Sequence, residues 1–403
     1  GRKERELVVF PLLFVKDRDG LPPSCLLAVV DLTQIQNVPL GRFAVAAATI
    51  ADSFGATPNE RMLSHLPLSH VAERWGIESG SFYCGFRIFF AESLDTFARD
   101  LRAAQPTVFA TVPRLWTKFQ QGVFAKMPKK RLDFLFGLPI LGGVFKKKIL
   151  KAVGFDHTRF AMGGAAPMPP SLINWYRSLG LELLEAYGMP ENFGMSHGSM
   201  PGEGRVGYVG KPWPGVECKL SEIGEVLVRS PSNMLGYFRE PEKTREVLSE
   251  DGWLKTGDLG AFDEAGRLRI TGRAKEIFKT SKGKYVAPAP IESKLSALSL
   301  IEALCVAGAN YGQPCALVML APDAAKQDRA SVTAQLKAQL DSVNATLDPH
   351  EQLDFLAVVK DNWTVENGFI TPTLKIKRNV VEAAYGPHLD AWYARRQPVI
   401  WQE

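Results

Sequence analysis

Hydrophobic positions in the first 210 residues gather into short runs, separated by segments with a helical period. "RMLSHLP", "TVFATVP", "RFAMGG" and "LELLEAYG" are such runs, each ending at glycine, proline or a polar turn. Strand-length apolar runs alternating with helical patterns predict α/β layers on a mainly parallel sheet. From Val206 to Ile270 the pattern changes: "GEVLVRS" and "GRLRITG" are short strands set off by Gly and Pro turns, which predicts a small β subdomain. After Gly272 helices and strands return, and "RASVTAQLKAQLDSVNATL" carries a helical period. The expected fold class is α/β, with a large N-terminal domain of several subdomains over residues 1–273 and a smaller α+β domain over 274–403. The boundary falls between Arg273 and Lys275.

Composition narrows this picture. A chain of 403 residues with 46% hydrophobic and 23% charged positions belongs with soluble globular proteins of two or three domains. Its net charge of +5 suits an anionic ligand or a membrane surface and gives no argument for nucleic acid. Five cysteines (Cys25, Cys84, Cys218, Cys305, Cys315) are scattered without metal-ligand spacing, as reduced thiols in the cytoplasm would be. The opening "GRKERELVVFPLLF" turns from basic to apolar but is short and broken by proline, so neither a membrane span nor a signal peptide is expected. One region, Lys126 to Lys151, sets basic clusters on both sides of an apolar core too short to cross a bilayer. Such a segment can rest on an anionic inner membrane surface, or it can be a buried loop between solvated helices.

The candidate chemistry centres on "EAYGMPENFG". Tyr187 offers a flat ring, Gly188 a close backbone approach and Glu191 a hard oxygen for a metal, a set that suits a nucleotide. Pro190 is the odd member, having no hydrogen to donate. Further on, Asp258 in a Thr-Gly-Asp turn could accept both hydroxyls of a ribose, and Arg273 in a Gly-Arg turn could donate to the same sugar or to phosphate. Lys275, Lys279, Lys282 and Lys284 surround Gly283. Each element alone is weak, since such turns are usually plain β-turns and lysine-rich loops are usually solvated.

In combination and in this order they resemble the adenylate-forming superfamily of acyl-CoA synthetases. "GGAAP" (Gly163 to Pro167), "YGMPE" (Tyr187 to Glu191), "KTGD" (Lys255 to Asp258) and "TGRAKEIFKTSKGKYV" (Thr271 to Val286) match its motifs in sequence order. "LPLSHVAERW" (Leu66 to Trp75), the stretch from Asn233 to Gly260 and "ITPTLKIKR" (Ile370 to Arg378) resemble the long-chain fatty acyl-CoA ligases within it. The resemblance implies that a fatty carboxylate attacks the α-phosphate of ATP, giving acyl-AMP and pyrophosphate, and that coenzyme A then displaces AMP. It also implies the parts. Gly164 and Ala165, with the ring of Tyr187, would hold adenine; Asp258 and Arg273 the ribose; Glu191 would ligate Mg²⁺. Lys375 would meet the developing charge, with Lys377 as rival. The C-terminal domain would be mobile about Lys275, and Gly283 would leave room for pantetheine. His70 and Trp75 would lie near the acyl chain.

Two features depart from that pattern. The family's Ser/Thr/Gly-rich phosphate loop would stand just before "GRFAVAAATI", yet the chain runs "TQIQNVPLGRFAV", as if the loop had dropped out between Pro39 and Gly41. Pro190 also replaces a hydroxyl residue that touches phosphate. These leave two alternatives beside a long-chain ligase: a ligase for another carboxylic acid, or a catalytically impaired nucleotide- or acyl-binding relative.

Overall fold

The computed structural model describes residues 26–31, 34–68, 70–93, 95–139, 141–371 and 375–403. The basic-to-apolar opening stretch, Cys25 and residues 372–374 of the Ile370–Arg378 motif lie outside these. β1 (Leu26–Asp31) pairs antiparallel with β2 (Gln34–Pro39), and α1 (Leu40–Ser53) follows β2 with no residue between them. The backbone thus passes straight from strand to helix at the position where the resemblance would place a phosphate loop.

β3 (Arg61–Ser64) and β4 (Arg87–Phe90) are a parallel pair. A π-helical segment, Glu73–Ser79, and α2 (Gly80–Cys84) connect them. After α3 (Phe97–Ala104) comes a five-stranded sheet. β5 (Val108–Thr111), β6 (Phe160–Gly163) and β7 (Leu183–Tyr187) run parallel in it. β8 (His197–Gly198) and β9 (Lys211–Pro212) continue it antiparallel. α4 (Pro113–Lys126), α5 (Lys129–Phe136) and α6 (Leu141–Val153) cross from β5 to β6, and α7 (Pro170–Leu179) crosses from β6 to β7. The four apolar runs read from the pattern are β3, β5, β6 and β7. Trp116, Phe109, Phe155 and Tyr176 form the centre of the core beneath this sheet. Their polar tips are satisfied: Trp116 Nε1 donates to the Met162 carbonyl at 3.1 Å, and the Tyr176 hydroxyl donates to the Trp116 carbonyl at 2.7 Å.

The β subdomain begins with β10 (Glu217–Leu220) and β11 (Glu225–Arg229). β12 (Gly236–Tyr237) leaves to pair with β2, and α8 (Pro241–Val247) follows. β13 (Leu254–Phe262) and β14 (Leu268–Arg273) complete an antiparallel sheet in the order β10-β11-β13-β14.

Beyond Arg273, β15 (Phe278–Lys279) and β16 (Tyr285–Val286) form a hairpin, followed by α9 (Pro288–Leu295). A second sheet takes β17 (Ile301–Ala307), β18 (Cys315–Leu320), β19 (Leu356–Val358) and β20 (Val399–Trp401) in that order. α10 (Arg329–Asn344) precedes β19, and α11 (Arg378–Tyr385) and α12 (Leu389–Arg395) precede β20. Along β18, Ala316, Val318 and Leu320 pack with α9 and α10, while Cys315, Leu317 and Met319 pack with α11 and α12. Both faces are covered, which is why "CALVML" reads as an unbroken apolar run. The Asp328 side chain starts α10 by accepting the Ser331 amide at 2.9 Å.

Candidate active site

Parallel α/β sheets present ligands at the carboxyl ends of their strands. Here β6 ends at Gly163 and β7 ends at Tyr187, side by side. The Tyr187 hydroxyl donates to Asp258 Oδ2 at 2.7 Å, and Arg273 Nε donates to Asp258 Oδ1 at 3.0 Å. Asp258 and Arg273 are cross-strand partners on β13 and β14, so antiparallel register delivers the pair. Burial, with the Asp258 carboxylate beside it, raises the Tyr187 phenol well above its ordinary value and keeps it protonated. The Thr-Gly-Asp segment expected to be a turn lies within β13, where Gly257 takes φ +72° and Thr256 Oγ1 receives the Asp258 amide at 3.1 Å. Three of the residues singled out in the sequence therefore form one hydrogen-bonded cluster.

The segment after β7 is shaped by backbone contact. A Cβ on Gly188 would lie 2.3 Å from the Gly194 carbonyl oxygen, so only glycine fits. Pro190 occupies the first position of a single 3₁₀ turn, Pro190–Asn192, a place that does not require its missing N–H. Glu191 in this turn accepts the Tyr237 hydroxyl on Oε1 at 2.9 Å, while its carbonyl accepts the Met234 amide at 2.7 Å. At the end of β6, a Cβ on Gly164 would meet the Ala186 carbonyl oxygen at 2.9 Å, and Ala165 is held at φ +67°, a region L residues avoid. Neighbouring His197 is buried, and that burial lowers its imidazole to about 3, leaving it neutral.

An apolar cavity of about 80 Å³ opens beside this segment. Its lining runs from His65 and Leu66, just past the carboxyl end of β3, to Val108 and Phe160 at the amino ends of β5 and β6. Trp75 lines the cavity and also packs on the segment after β7: a Cβ on Gly194 would touch its Nε1 at 2.5 Å. The cavity and the segment that follows β7 are thus neighbours across one indole. His70 sits at the start of the π-helical segment, with Nδ1 accepting the Ala72 amide at 3.2 Å. His65 and Glu73 line the cavity, and neither was singled out in the sequence, where Glu73 stood only as a member of the Leu66–Trp75 motif. Glu73 is 1% exposed, bonded to the Ser64 hydroxyl and receiving the Leu66 amide at 3.3 Å, and burial raises it to about 7.

The remaining predicted residues lie on separate loops. Lys275 is exposed in the turn after β14. Gly283 is at φ +74° at the tip of the β15–β16 hairpin, with open space where a Cβ would stand. Lys375 closes a small loop, its amide donating to Thr371 Oγ1 at 3.0 Å and its carbonyl accepting the Thr371 amide at 2.8 Å. Lys377 caps the start of α11. Among the described residues no cluster of three or more His, Cys, Asp or Glu could hold a metal, and no helix is long and apolar enough to cross a membrane.

Comparison with known proteins assigns the family. The AMP-binding enzyme family matches residues 33–238, and the AMP-binding enzyme C-terminal domain matches residues 275–397. The chain belongs to the AMP-binding enzymes, the adenylate-forming superfamily. It is 32% identical over 375 residues to the long-chain-fatty-acid–CoA ligase FadD15 of Mycobacterium bovis, covering 83% of this chain and 62% of that protein. It is 30% identical over 404 residues to the peroxisomal long chain acyl-CoA synthetase 7 of Arabidopsis thaliana, covering 87% and 57%. Across the relatives compared, the chain spans 52% to 70% of their length. The adenylation domain of a carboxylic acid reductase from Segniliparus rugosus, solved with AMP and a co-purified carboxylic acid, superposes with a TM-score of 0.76 at 25% identity, covering 94% of this chain and 64% of that one.

Proposed function

We propose that this chain activates a fatty carboxylate with ATP to acyl-AMP and pyrophosphate, then transfers the acyl group to coenzyme A. The observation that carries this reading is an apolar cavity that abuts, through Trp75 and Gly194, the segment running on from Tyr187 of the polar clasp Tyr187–Asp258–Arg273. Gly164, Ala165 and Tyr187 would take the adenine, and Asp258 and Arg273 the ribose hydroxyls. Glu191 supplies a hard oxygen suited to Mg²⁺, which commonly takes one or two carboxylates together with phosphate oxygens and needs no all-protein cage. When bound, Mg²⁺ supplies charge neutralisation at the phosphates. Lys375, or Lys377 two residues on, would meet charge at the α-phosphate; Lys275 would be the hinge for the C-terminal domain over residues 274–403, and Gly283 would admit pantetheine. Positioning and electrostatics do most of the work in such a transfer.

A second reading, an AMP-binding relative with impaired transfer, is favoured by Pro190 and by the direct passage from β2 to α1. ATP–pyrophosphate exchange with Mg²⁺ and palmitate, run on the parent and on Pro190→Thr, separates the two. Restoring one hydrogen bond to a charged group is expected to raise exchange roughly 10- to 100-fold. Exchange in the parent supports the ligase; absence of exchange in both proteins, with AMP still bound, supports the impaired relative. A series of carboxylic acids in the same assay decides the acid.

A further inference from the structure

The α5–α6 hairpin concentrates positive charge. Residues 126–151 hold eight Lys or Arg against one acid, Asp133, and that acid is paired with Lys129 at 2.7 Å. The segment is therefore +7 by count, while the whole chain is +5, leaving the rest at −2. The hairpin is anchored on one side: Leu132 is buried, and Phe136, Ile149 and Leu150 pack against the core of Trp116 and Phe155. Its other side is apolar and wet. Phe134 is 70% exposed, Leu141 54% and Val144 59%. Gly142 lets the start of α6 touch the end of α5, since a Cβ there would lie 2.5 Å from the Phe136 carbonyl oxygen. The exposed apolar side chains are thereby kept within one compact tip, with the basic residues on the two limbs behind it.

Exposed apolar residues rimmed by cations mark an interaction surface. We propose that the α5–α6 hairpin docks on an anionic lipid bilayer, with Phe134, Leu141 and Val144 entering the head-group boundary and the lysines of both limbs meeting lipid phosphates. Leu141, Val144 and Lys148 share one exposed face of α6 at spacings of three and four, apolar at the tip and basic behind it, so one approach to a surface presents both. A nucleic acid would satisfy the lysines but leave the apolar tip in water, so the lipid surface accounts for more of what is exposed. Docking of this kind does not depend on the catalytic reading.

The test is co-sedimentation of the full chain with vesicles of phosphatidylcholine, with and without phosphatidylglycerol. Binding to the anionic vesicles that weakens with salt is expected. Lys147→Glu/Lys148→Glu/Lys151→Glu should weaken it roughly 100-fold, at about one decade or less per charge. Phe134→Ser/Leu141→Ser/Val144→Ser should weaken it as well, and the thermal midpoint of both exposed-site variants should match the parent. Equal binding to neutral vesicles, or binding that survives the charge reversals, would overturn the proposal. So would an apolar variant that binds like the parent, because the surface would then recognise polyanions by charge alone.

Discussion

Asp258 serves two donors with two oxygens, and each bond comes from a group that the nucleotide reading also uses. Asp258→Asn keeps the shape and removes the charge. Charged hydrogen bonds of this kind contribute about 1.5–3 kcal/mol, so the variant should bind AMP roughly 10- to 100-fold more weakly by calorimetry. Glycines in the same region separate into two kinds. Gly188→Ala would drive a methyl into the Gly194 backbone and should disorder the clasp, read as lost AMP binding and a lower thermal midpoint. Gly283→Ala meets only open space and the cost of a left-handed residue, about 1–2 kcal/mol, so it should leave AMP binding unchanged. Glu73 gives a pH signature. Its carboxyl is raised to about 7 chiefly by burial, so the folded state holds a proton that the unfolded chain releases near the usual carboxylate range. Its contribution to stability is full below that range and is lost as pH rises toward 7. Glu73→Gln should remove this slope in thermal midpoints measured from pH 4.5 to 7.5; an unchanged slope would show that Glu73 does not titrate there.

Among elements, the π-helical segment Glu73–Ser79 sets the width of the cavity. Glu73, Trp75, Gly76 and Ile77 within the segment, and Ala72 and Gly80 at its ends, all line the cavity. A Cβ on Gly80 would press on the Phe86 ring at 3.3 Å, whereas one on Gly76 meets nothing within 4 Å. Gly76→Leu should therefore fill free space and shift the acid profile toward shorter chains, measured as pyrophosphate release across a chain-length series. A uniform fall for every acid would refute that role. The strands that frame the cavity were legible because each is a short apolar run ending at a turn. The cavity itself was not, because α1, β3, the π-helical segment, β5 and β6 contribute to it from positions far apart in the chain. β12 was equally hidden: two residues pair across the molecule with β2, and no local pattern announces such a partner. Ala165 was visible in "GGAAP" as a residue, but its left-handed backbone was not, since alanine carries no preference for that region.

At the scale of the whole molecule, an ion pair between Arg114 on α4 and Glu302 on β17 crosses from the five-stranded sheet region to the second sheet. Arg114→Ala should loosen that contact and speed limited proteolysis near Ala274–Lys275, with little effect on the thermal unfolding of either part. An unchanged cleavage rate would mean the contact does not hold the two together. Another connection is less obvious. β12 carries Tyr237, which holds Glu191, and β12 is hydrogen-bonded to β2. β2 continues without a joint into α1, whose Ala47, Ile50 and Ala51 form part of the cavity wall. If, as proposed, a cation drew Glu191 toward a triphosphate, it would pull on a lever whose far arm is this cavity wall, so occupancy at one end would be felt mechanically at the other.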